Sequence, residues 1–326
     1  MLYINSDSTD PHYNLALEEY IMTTIAGDEP IVRLWQNRPS VIIGRYQNTI
    51  EEINPDFIEK NGIAVVRRLT GGGAVYHDLG NLNYTLVEKT AAEMIDFRRF
   101  TKPVTDLLNR LGIPAELSGR NDMTVDGRKF SGNAQYISKG KVLHHGTLLY
   151  ESRLEDVQEA LRVRGDKIES KAIKSVRSRV CNLTDFMKEK IPLAEFKDML
   201  LKELFQGQPF REYVLTEKDQ AAIQRLVEER YGNWNWNYGA SPKFNQEKRR
   251  RFAWGELVVR LQVEDGLIKE CTINGDFFSN ADLSDLTGAL RGAKHSREEL
   301  ERTLRRVGLE TFFPALSREE FIELMV

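Results

Sequence analysis

Residues 67–78 read Arg67-Arg68-Leu69-Thr70-Gly71-Gly72-Gly73-Ala74-Val75-Tyr76-His77-Asp78. The run follows an apolar stretch, Ile63-Ala64-Val65-Val66, and leads toward Asn83-Tyr84-Thr85-Leu86-Val87. Both flanks are rich in β-branched or aromatic residues and predict strands. Three consecutive glycines are costly to order, because glycine surrenders more backbone freedom than any other residue. Such a loop is expected where backbone must approach a ligand and turn its amides toward it. Two arginines beside it suggest phosphate or carboxylate on that ligand. The run lacks the Gly-Lys-Ser/Thr that opens a helix in a phosphate-binding P-loop, and it lacks the dinucleotide-binding glycine spacing. A glycine turn between two strands gives instead a flat wall without side chains. The plainer alternative is a glycine-rich hairpin with solvated arginines.

Working outward, Asp10-Pro11 reads as an N-cap and first turn for a helix through Asn14–Ile21, with Leu17, Tyr20 and Ile21 on one face. Ile31–Trp35 and Ser40–Gly44 predict strands split by Asn37-Arg38-Pro39. Phe97, Phe100, Val104, Leu107 and Leu111 fall at helical spacing, ended by Gly112-Ile113-Pro114. Met123–Val125, Lys129–Ile137 and Val142–Tyr150 predict successive strands joined by Asp126-Gly127 and Lys139-Gly140-Lys141 turns. Helices are expected at Leu154–Leu161, Leu193–Phe205 and Glu217–Tyr231. The polar-aromatic stretch Trp234–Asn245 keeps no period and reads as loop or linker, a natural hinge. Beyond it, Leu257–Val263 and Ile268–Ile273 form a hairpin pattern, followed by three short helices at 283–290, 298–307 and 318–325. Hairpins intermixed with helices predict α+β. The expected division is residues 1–243 as the main unit and 244–326 as a small α+β unit with its own core.

The chain has 326 residues, enough for two domains, and 41% hydrophobic content, enough for a real core. A formal net charge of −3 gives no general attraction to nucleic acid or anionic membrane. No apolar stretch approaches the roughly 20 residues that span a bilayer. Two cysteines far apart in sequence and no secretory pattern point to a reducing cytoplasm.

Further chemistry gathers in Gly119–Gln135. Asp122 stands before a strand, where its carboxylate is placed either to hold a divalent cation or to close a turn on its own backbone. Lys129 precedes Ser131-Gly132, a small-residue surface, and is a candidate point charge aimed at an oxyanion. His144-His145-Gly146-Thr147 reads as a pocket wall; for His144, a satisfied core histidine is an equal alternative to ligand contact. Neither cysteine stands at zinc-ligand spacing. The basic stretch Ser170–Val180 suits a loop that closes over phosphates, or a solvated loop.

Taken together, these segments resemble the lipoate–protein ligase A family. The resemblance rests on residues 67–78, Gly119-Arg120-Asn121-Asp122, Lys129-Phe130-Ser131-Gly132, His144-His145-Gly146-Thr147 and Ser175–Val180, in the family's order. It implies an α+β catalytic domain with a mixed or antiparallel sheet, of the biotin/lipoate ligase type, and a small accessory C-terminal domain. It implies an enzyme that uses ATP and Mg²⁺ to activate lipoate as lipoyl-AMP and then transfers the lipoyl group to a lysine of an acceptor domain. Lys129 matches the catalytic lysine. Arg68, Thr70, Gly71, Gly72, Gly73, Val75, Tyr76, His77, Asn83, Asn121, Ser131, Gly132, Ala134, His145 and Lys171 match ATP- or lipoyl-AMP-binding positions, and Asp122 the metal position. Trp35 is expected to wall the lipoyl chain. The glycine-loop amides and Lys129 are expected to offset negative charge jointly as carboxylate meets phosphate. The implied partners are apo-lipoyl domains of 2-oxoacid dehydrogenase E2 subunits or the glycine cleavage H protein, with the ligase a monomer. The competing reading is an ATP-independent octanoyl or lipoyl transferase with a cysteine nucleophile, for which Cys181 is the candidate. A non-catalytic binding protein is disfavoured because Lys129 and the glycines are all present.

Overall fold

The computed structural model describes residues 1–91, 95–161, 180–238, 244, 246–264 and 266–326. The chain opens with strand β1 (Leu2–Tyr3) and helix α1 (Pro11–Tyr20). Asp10 caps α1 by accepting from the His12 amide, with Pro11 in the first turn where its missing N–H costs nothing. Strands β2 (Ile31–Trp35) and β3 (Ser40–Ile43) lead to the short helices α2 (Thr49–Glu52) and α3 (Pro55–Lys60). Then come β4 (Ala64–Arg67), β5 (Val75–His77), β6 (Asn81–Lys89) and helix α4 (Phe97–Arg110). In α4 the predicted apolar face is buried and Asp96 caps the first turn. β7 (Ala115–Ser118), β8 (Asp122–Val125), β9 (Arg128–Ser138) and β10 (Lys141–Leu149) follow as a meander, then helix α5 (Leu154–Ala160). The β8–β9 and β9–β10 turns carry positive φ at both central residues, 49° and 72° at Asp126-Gly127 and 49° and 71° at Lys139-Gly140. These match the twist of the strands they join.

Two sheets share this unit. The larger runs β11-β1-β2-β6-β10-β9-β8-β7, with β11 at Arg211–Glu212. It is parallel only where β1 meets β11 and β2, and antiparallel from β2 onward. The smaller sheet is β4-β3-β5, with β3 parallel to β4 and antiparallel to β5. The glycine loop therefore joins two strands that flank a third, so it is not a hairpin turn. Helix α4 and the helix Leu193–Leu204 pack with Phe130, Leu148 and Tyr150 in one core. Helix α1 and the helix Glu217–Leu226 pack with Trp35, Ile42 and Leu143 in another. The latter helix continues as a wider π-helical turn through Tyr231.

Residues 246–326 build an antiparallel sheet, β12 (Gln246–Phe252), β13 (Gly255–Glu264) and β14 (Leu267–Gly275), covered by helices at Leu283–Leu290, Arg297–Val307, Leu309–Phe312 and Arg318–Glu323. Leu257, Leu261, Leu286, Leu304 and Phe321 belong to one core here. β12 escapes the sequence pattern because it is an edge strand whose run Lys248–Arg251 is exposed and charged, a composition that discourages edge-to-edge pairing.

One expectation needs correction. Trp234–Asn237 is a short helix rather than linker, capped by Asn233. The Arg67 amide donates to Asn237 Oδ1 at 2.9 Å and Trp236 Nε1 donates to the Arg67 carbonyl at 2.8 Å, so this segment buttresses the start of the glycine loop. Aromatic side chains without a helical period still order when each ring finds a partner. Half of the expected hinge, and residue 243 at the expected unit boundary, lie outside the described residues.

Candidate active site

The glycine loop begins at the end of β4. Arg67 turns away from the loop: its Nη1 donates to the carbonyls of Gly44, Arg45 and Gln47, its Nε to Trp236 O, and its Nη2 to Thr49 Oγ1. This guanidinium ties three segments together, so the anion-binding reading does not hold for it. Arg68 points inward and is buried. Its Nε donates to Thr70 Oγ1 at 2.9 Å, its Nη1 to Ile42 O at 3.2 Å, and its Nη2 to Gly71 O and Gly73 O at 2.7 and 2.8 Å. It therefore sets the curvature of the loop from inside while also lining the cleft.

The three glycines differ. A Cβ on Gly71 would stand 2.3 Å from the Phe277 carbonyl oxygen. Gly72 has φ +91°, a conformation other residues rarely adopt, and a Cβ there would meet the Phe278 ring at 2.9 Å. Its amide already donates to Phe277 O at 2.9 Å, so it is committed in this arrangement. Gly73 has open space where a Cβ would stand, and it lines the cleft. Of the triplet, Gly73 is the one whose bare backbone faces ligand space.

That cleft measures about 560 Å³ with its open side included. Leu15, Trp35, Ile42, Val75 and Ala134 give it an apolar wall; Lys129, Asn121, His77, Asn83 and His145 supply polar groups. Predicted residues from β4–β5, β6, β8–β9 and β10 thus converge on one cavity. Ala134, opposite His145 in the β9–β10 register, and Gly132 complete the β9 side. Of the predicted positions that do not line the cavity, Thr70, Gly71 and Gly72 belong to the loop and Asp122 pairs with Lys129, while Tyr76 and Ser131 lie elsewhere. Tyr76 alternates to the other face of β5 and packs in the core beneath α3 and α5, because successive strand side chains point to opposite faces. Ser131 is buried and accepts from Asn133 Nδ2 at 3.3 Å. Lys171 lies outside the described residues. The chain returns from that basic stretch at Val180, which forms a parallel bridge with Lys129.

Lys129 Nζ stands 2.8 Å from Asp122 Oδ1, and both side chains are partly open, 38% and 39% exposed. The β8–β9 register sets Asp122 opposite Gly132, and a Cβ on Gly132 would lie 3.3 Å from Lys129 Nζ. The glycine leaves the ammonium room to swing toward the cleft. Asn121 is fixed by donating from Nδ2 to Asn133 O at 2.6 Å. Among the described residues no group of three or more His, Cys, Asp and Glu side chains could hold a metal ion. Asp122 is a single carboxylate, which suits a cation that takes its remaining oxygens from phosphates and water.

The adjacent histidines separate by strand alternation. His144 is buried, stacked on Phe100 at 4.9 Å between centroids, with Nδ1 on Gln135 and Nε2 on Tyr84 OH. It is the satisfied core histidine. His145 faces the cleft, its Nδ1 3.0 Å from Glu18 Oε2 and its Nε2 2.9 Å from Thr70 Oγ1. Burial alone would push the Glu18 carboxyl up; His145, Thr85 and Arg33 outweigh it and hold the group below its ordinary value. An ionised carboxylate only accepts, so His145 carries a hydrogen on Nδ1. The Glu18–His145–Thr70–Arg68 series links α1, β10 and the glycine loop. Sequence reasoning missed Glu18, because a glutamate within a helix pattern reads as a solvated charge. It also missed Asn133 and the C-terminal Phe277 and Phe278, for which no local signal exists.

Cys181, the candidate nucleophile of the transferase reading, is 1% exposed and its thiol faces Arg128 O at 3.5 Å. Burial pushes it up to about 11, which keeps it a thiol at neutral pH.

Comparison with known proteins agrees with this geometry. Residues 10–205 match the model of the lipoyl protein ligase A/B catalytic domain, and residues 241–325 that of the bacterial lipoate protein ligase C-terminus. The chain is 46% identical to the lipoate-protein ligase LplJ of Bacillus subtilis (strain 168), with 100% of each covered. The crystal structure of P. falciparum LipL1 in complex with lipoate superposes with a TM-score of 0.83 at 26% identity, covering 99% of this chain and 98% of that one. A lipoate-protein ligase A bound with ATP gives 0.65 at 32% identity, covering 73% of this chain and 98% of that one. The α+β architecture, the cleft and the full-length likeness agree, and the chain belongs to the lipoyl protein ligase A/B family.

Proposed function

We propose that this cleft couples lipoate to ATP as lipoyl-AMP, releasing pyrophosphate, and then passes the lipoyl group to a lysine amine of an acceptor protein, releasing AMP. The chain is a ligase, and lipoate and ATP, which the related structures hold, are its substrates. The observation that carries the residue assignment is Lys129: a half-open ammonium lining the same cleft as Gly73 and the apolar wall. Attack of a carboxylate oxygen on the α-phosphorus brings two anions together, and a preorganised cation offsets that repulsion. Lys129 leaves Asp122 for the substrate oxygens as they arrive. Asp122, so released, would hold Mg²⁺, whose charge would help offset that of the phosphates. Gly73 admits the adenylate against bare backbone. Arg68 and Thr70 keep the loop in shape, and Trp35, Ile42 and Val75 wall the acyl chain. In the second step the acceptor amine attacks the acyl carbonyl, the C–O bond to AMP breaks, and the amine sheds a proton. Acceptors are lipoyl domains, of 2-oxoacid dehydrogenase E2 subunits or of the glycine cleavage H protein. Residues 1–243 are the catalytic unit and 244–326 the accessory unit.

Cysteine-based transfer without ATP is disfavoured by the buried, neutral thiol of Cys181. The deciding experiment incubates an apo-lipoyl domain with this chain, Mg²⁺, lipoate or octanoate, and ATP present or absent. Mass spectrometry is expected to find the lipoyl adduct only with ATP. Acylation of equal rate without ATP overturns the reading.

A further inference from the structure

A chain of buried side chains behind the cleft dictates which nitrogen of His77 carries hydrogen. Arg33 is fully buried, and a guanidinium only donates. Its Nη2 donates to Asn14 Oδ1 and its Nη1 to Asn14 O at 3.0 Å. The Asn14 amide is thereby oriented. Its Nδ2 shares two hydrogens among Ser8 O at 2.9 Å, Gln36 O at 3.0 Å and Asn37 Oδ1 at 2.8 Å. Asn37, also fully buried, must then turn its own Nδ2 toward His77 Nδ1, 3.0 Å away. That ring nitrogen receives a hydrogen bond, so it is bare, and the neutral ring carries its hydrogen on Nε2. His77 Nε2 is buried, has no hydrogen-bond partner among the described residues, and belongs to a residue lining the cleft. Asn83, on the same cleft, adds an unpartnered amide nitrogen.

We propose that Arg33, Asn14 and Asn37 are positioning residues that lock His77 as an Nε2–H donor, and that this donor receives an uncharged acceptor atom of the bound substrate. The identity of the ligand rests on the ligase reading above; the tautomer does not. Burial, together with His145 and Arg68, pushes the ring's pKa down to about 3, so the donor is neutral throughout the working range. An anion brought against a neutral donor in a buried site would carry its charge out of water without a counter-charge, which is costly, so the donor suits an uncharged acceptor, and the anionic groups have Lys129. Two substrates offer such atoms: the adenine ring nitrogens of ATP, and the dithiolane sulfurs of lipoate. Leaving a buried donor unmatched disfavours any occupant without an acceptor at that point.

Nitrogen-15 NMR of the full chain without ligand reads the tautomer directly. The expected result is hydrogen on Nε2 and a bare Nδ1, unchanged between about pH 6 and about pH 9. Hydrogen on Nδ1 overturns the proposal. The variant Asn37→Asp puts a group that only accepts against Nδ1 and forces hydrogen there. His77 Nε2 then carries hydrogen only when the ring is protonated. Affinities for ATP alone and for lipoate alone are measured against pH in native and variant chains. In the arm whose substrate supplies the acceptor, the variant is expected to bind about 3- to 10-fold more weakly at high pH and to recover as its His77 takes up a proton. A variant-to-native Kd ratio that ignores pH in both arms, while NMR shows the ring titrating, overturns the proposal. If neither substrate binds the native chain, the ligase reading fails and the tautomer is judged by NMR alone. Should Asn37→Asp not fold, His77→Gln places an amide N–H near Nε2 and His77→Asn places one near Nδ1. Gln is expected to keep the affinity that Asn loses, and equal losses overturn the idea.

Discussion

The amide of Gly72 donates to the carbonyl of Phe277 at 2.9 Å, so the C-terminal unit is fastened directly to the glycine loop of the cleft. Arg120 reinforces the seam by donating to the carbonyls of Trp254 and Asp276, with its guanidinium 4.7 Å from the Phe278 ring centroid. Two neighbouring glycines should therefore respond oppositely to a methyl group. Gly71→Ala would press a Cβ against Phe277 O and is expected to cost about 1–3 kcal/mol, as overpacking does, and to speed exchange of the Gly72 amide. Gly73→Ala meets open space and is expected to leave thermal stability nearly unchanged while raising KM for ATP or lipoate. Hydrogen exchange and melting curves on both variants check this. Equal destabilisation by the two would contradict the division of roles.

Much of this arrangement was legible in the sequence because it is local. Strand alternation, the Asp126-Gly127 and Lys139-Gly140 turns and the amphipathic face of α4 are each set by residues within a few positions of one another. The glycine loop announced itself as a close-approach surface for the same reason. What stayed hidden depends on partners far along the chain. Arg67 reads as an anion ligand until Gly44, Gln47 and Trp236 are seen to take its hydrogens, and Glu18 reads as solvated until His145 arrives from 127 residues away. His144 and His145 could not be told apart by composition; only the register of β10 against β6 and β9 assigns one to the core and one to the cleft.

Lys129→Ala tests the charge argument. Its ammonium and the Asp122 carboxylate are both half-open, so losing the pair should change stability by less than about 1 kcal/mol. Lipoate-dependent pyrophosphate release is expected to fall about 10²- to 10³-fold, the usual effect of removing an oxyanion donor. Undiminished release by a folded variant would remove Lys129 from the chemistry.

Cys181→Ser is expected to retain acyl transfer. The thiol is buried and held neutral, and a serine hydroxyl can donate to the same Arg128 carbonyl. Rates within about twofold of native and no thioester intermediate by mass spectrometry are the expected outcome. A dead but folded variant that traps no adenylate would reopen the transferase reading.

The Glu18–His145 pair gives stability a defined dependence on pH. The Glu18 carboxyl has a lower pKa folded than its ordinary 4.5, because His145, Thr85 and Arg33 outweigh the opposing effect of burial. The unfolded chain therefore takes up this proton first as acid is added. The stabilisation is complete above about pH 4.5 and drains away as pH falls through the lower, folded value. Glu18→Gln keeps an acceptor for His145 and Thr85 but removes the charge, and should cost about 1–3 kcal/mol near neutrality. Because the native carboxyl becomes neutral in acid as well, the gap between native and variant should narrow as pH drops. Urea melts of both proteins across that range measure it. A gap that stays constant, or widens in acid, would mean that Glu18 is not ionised against His145 in the folded protein.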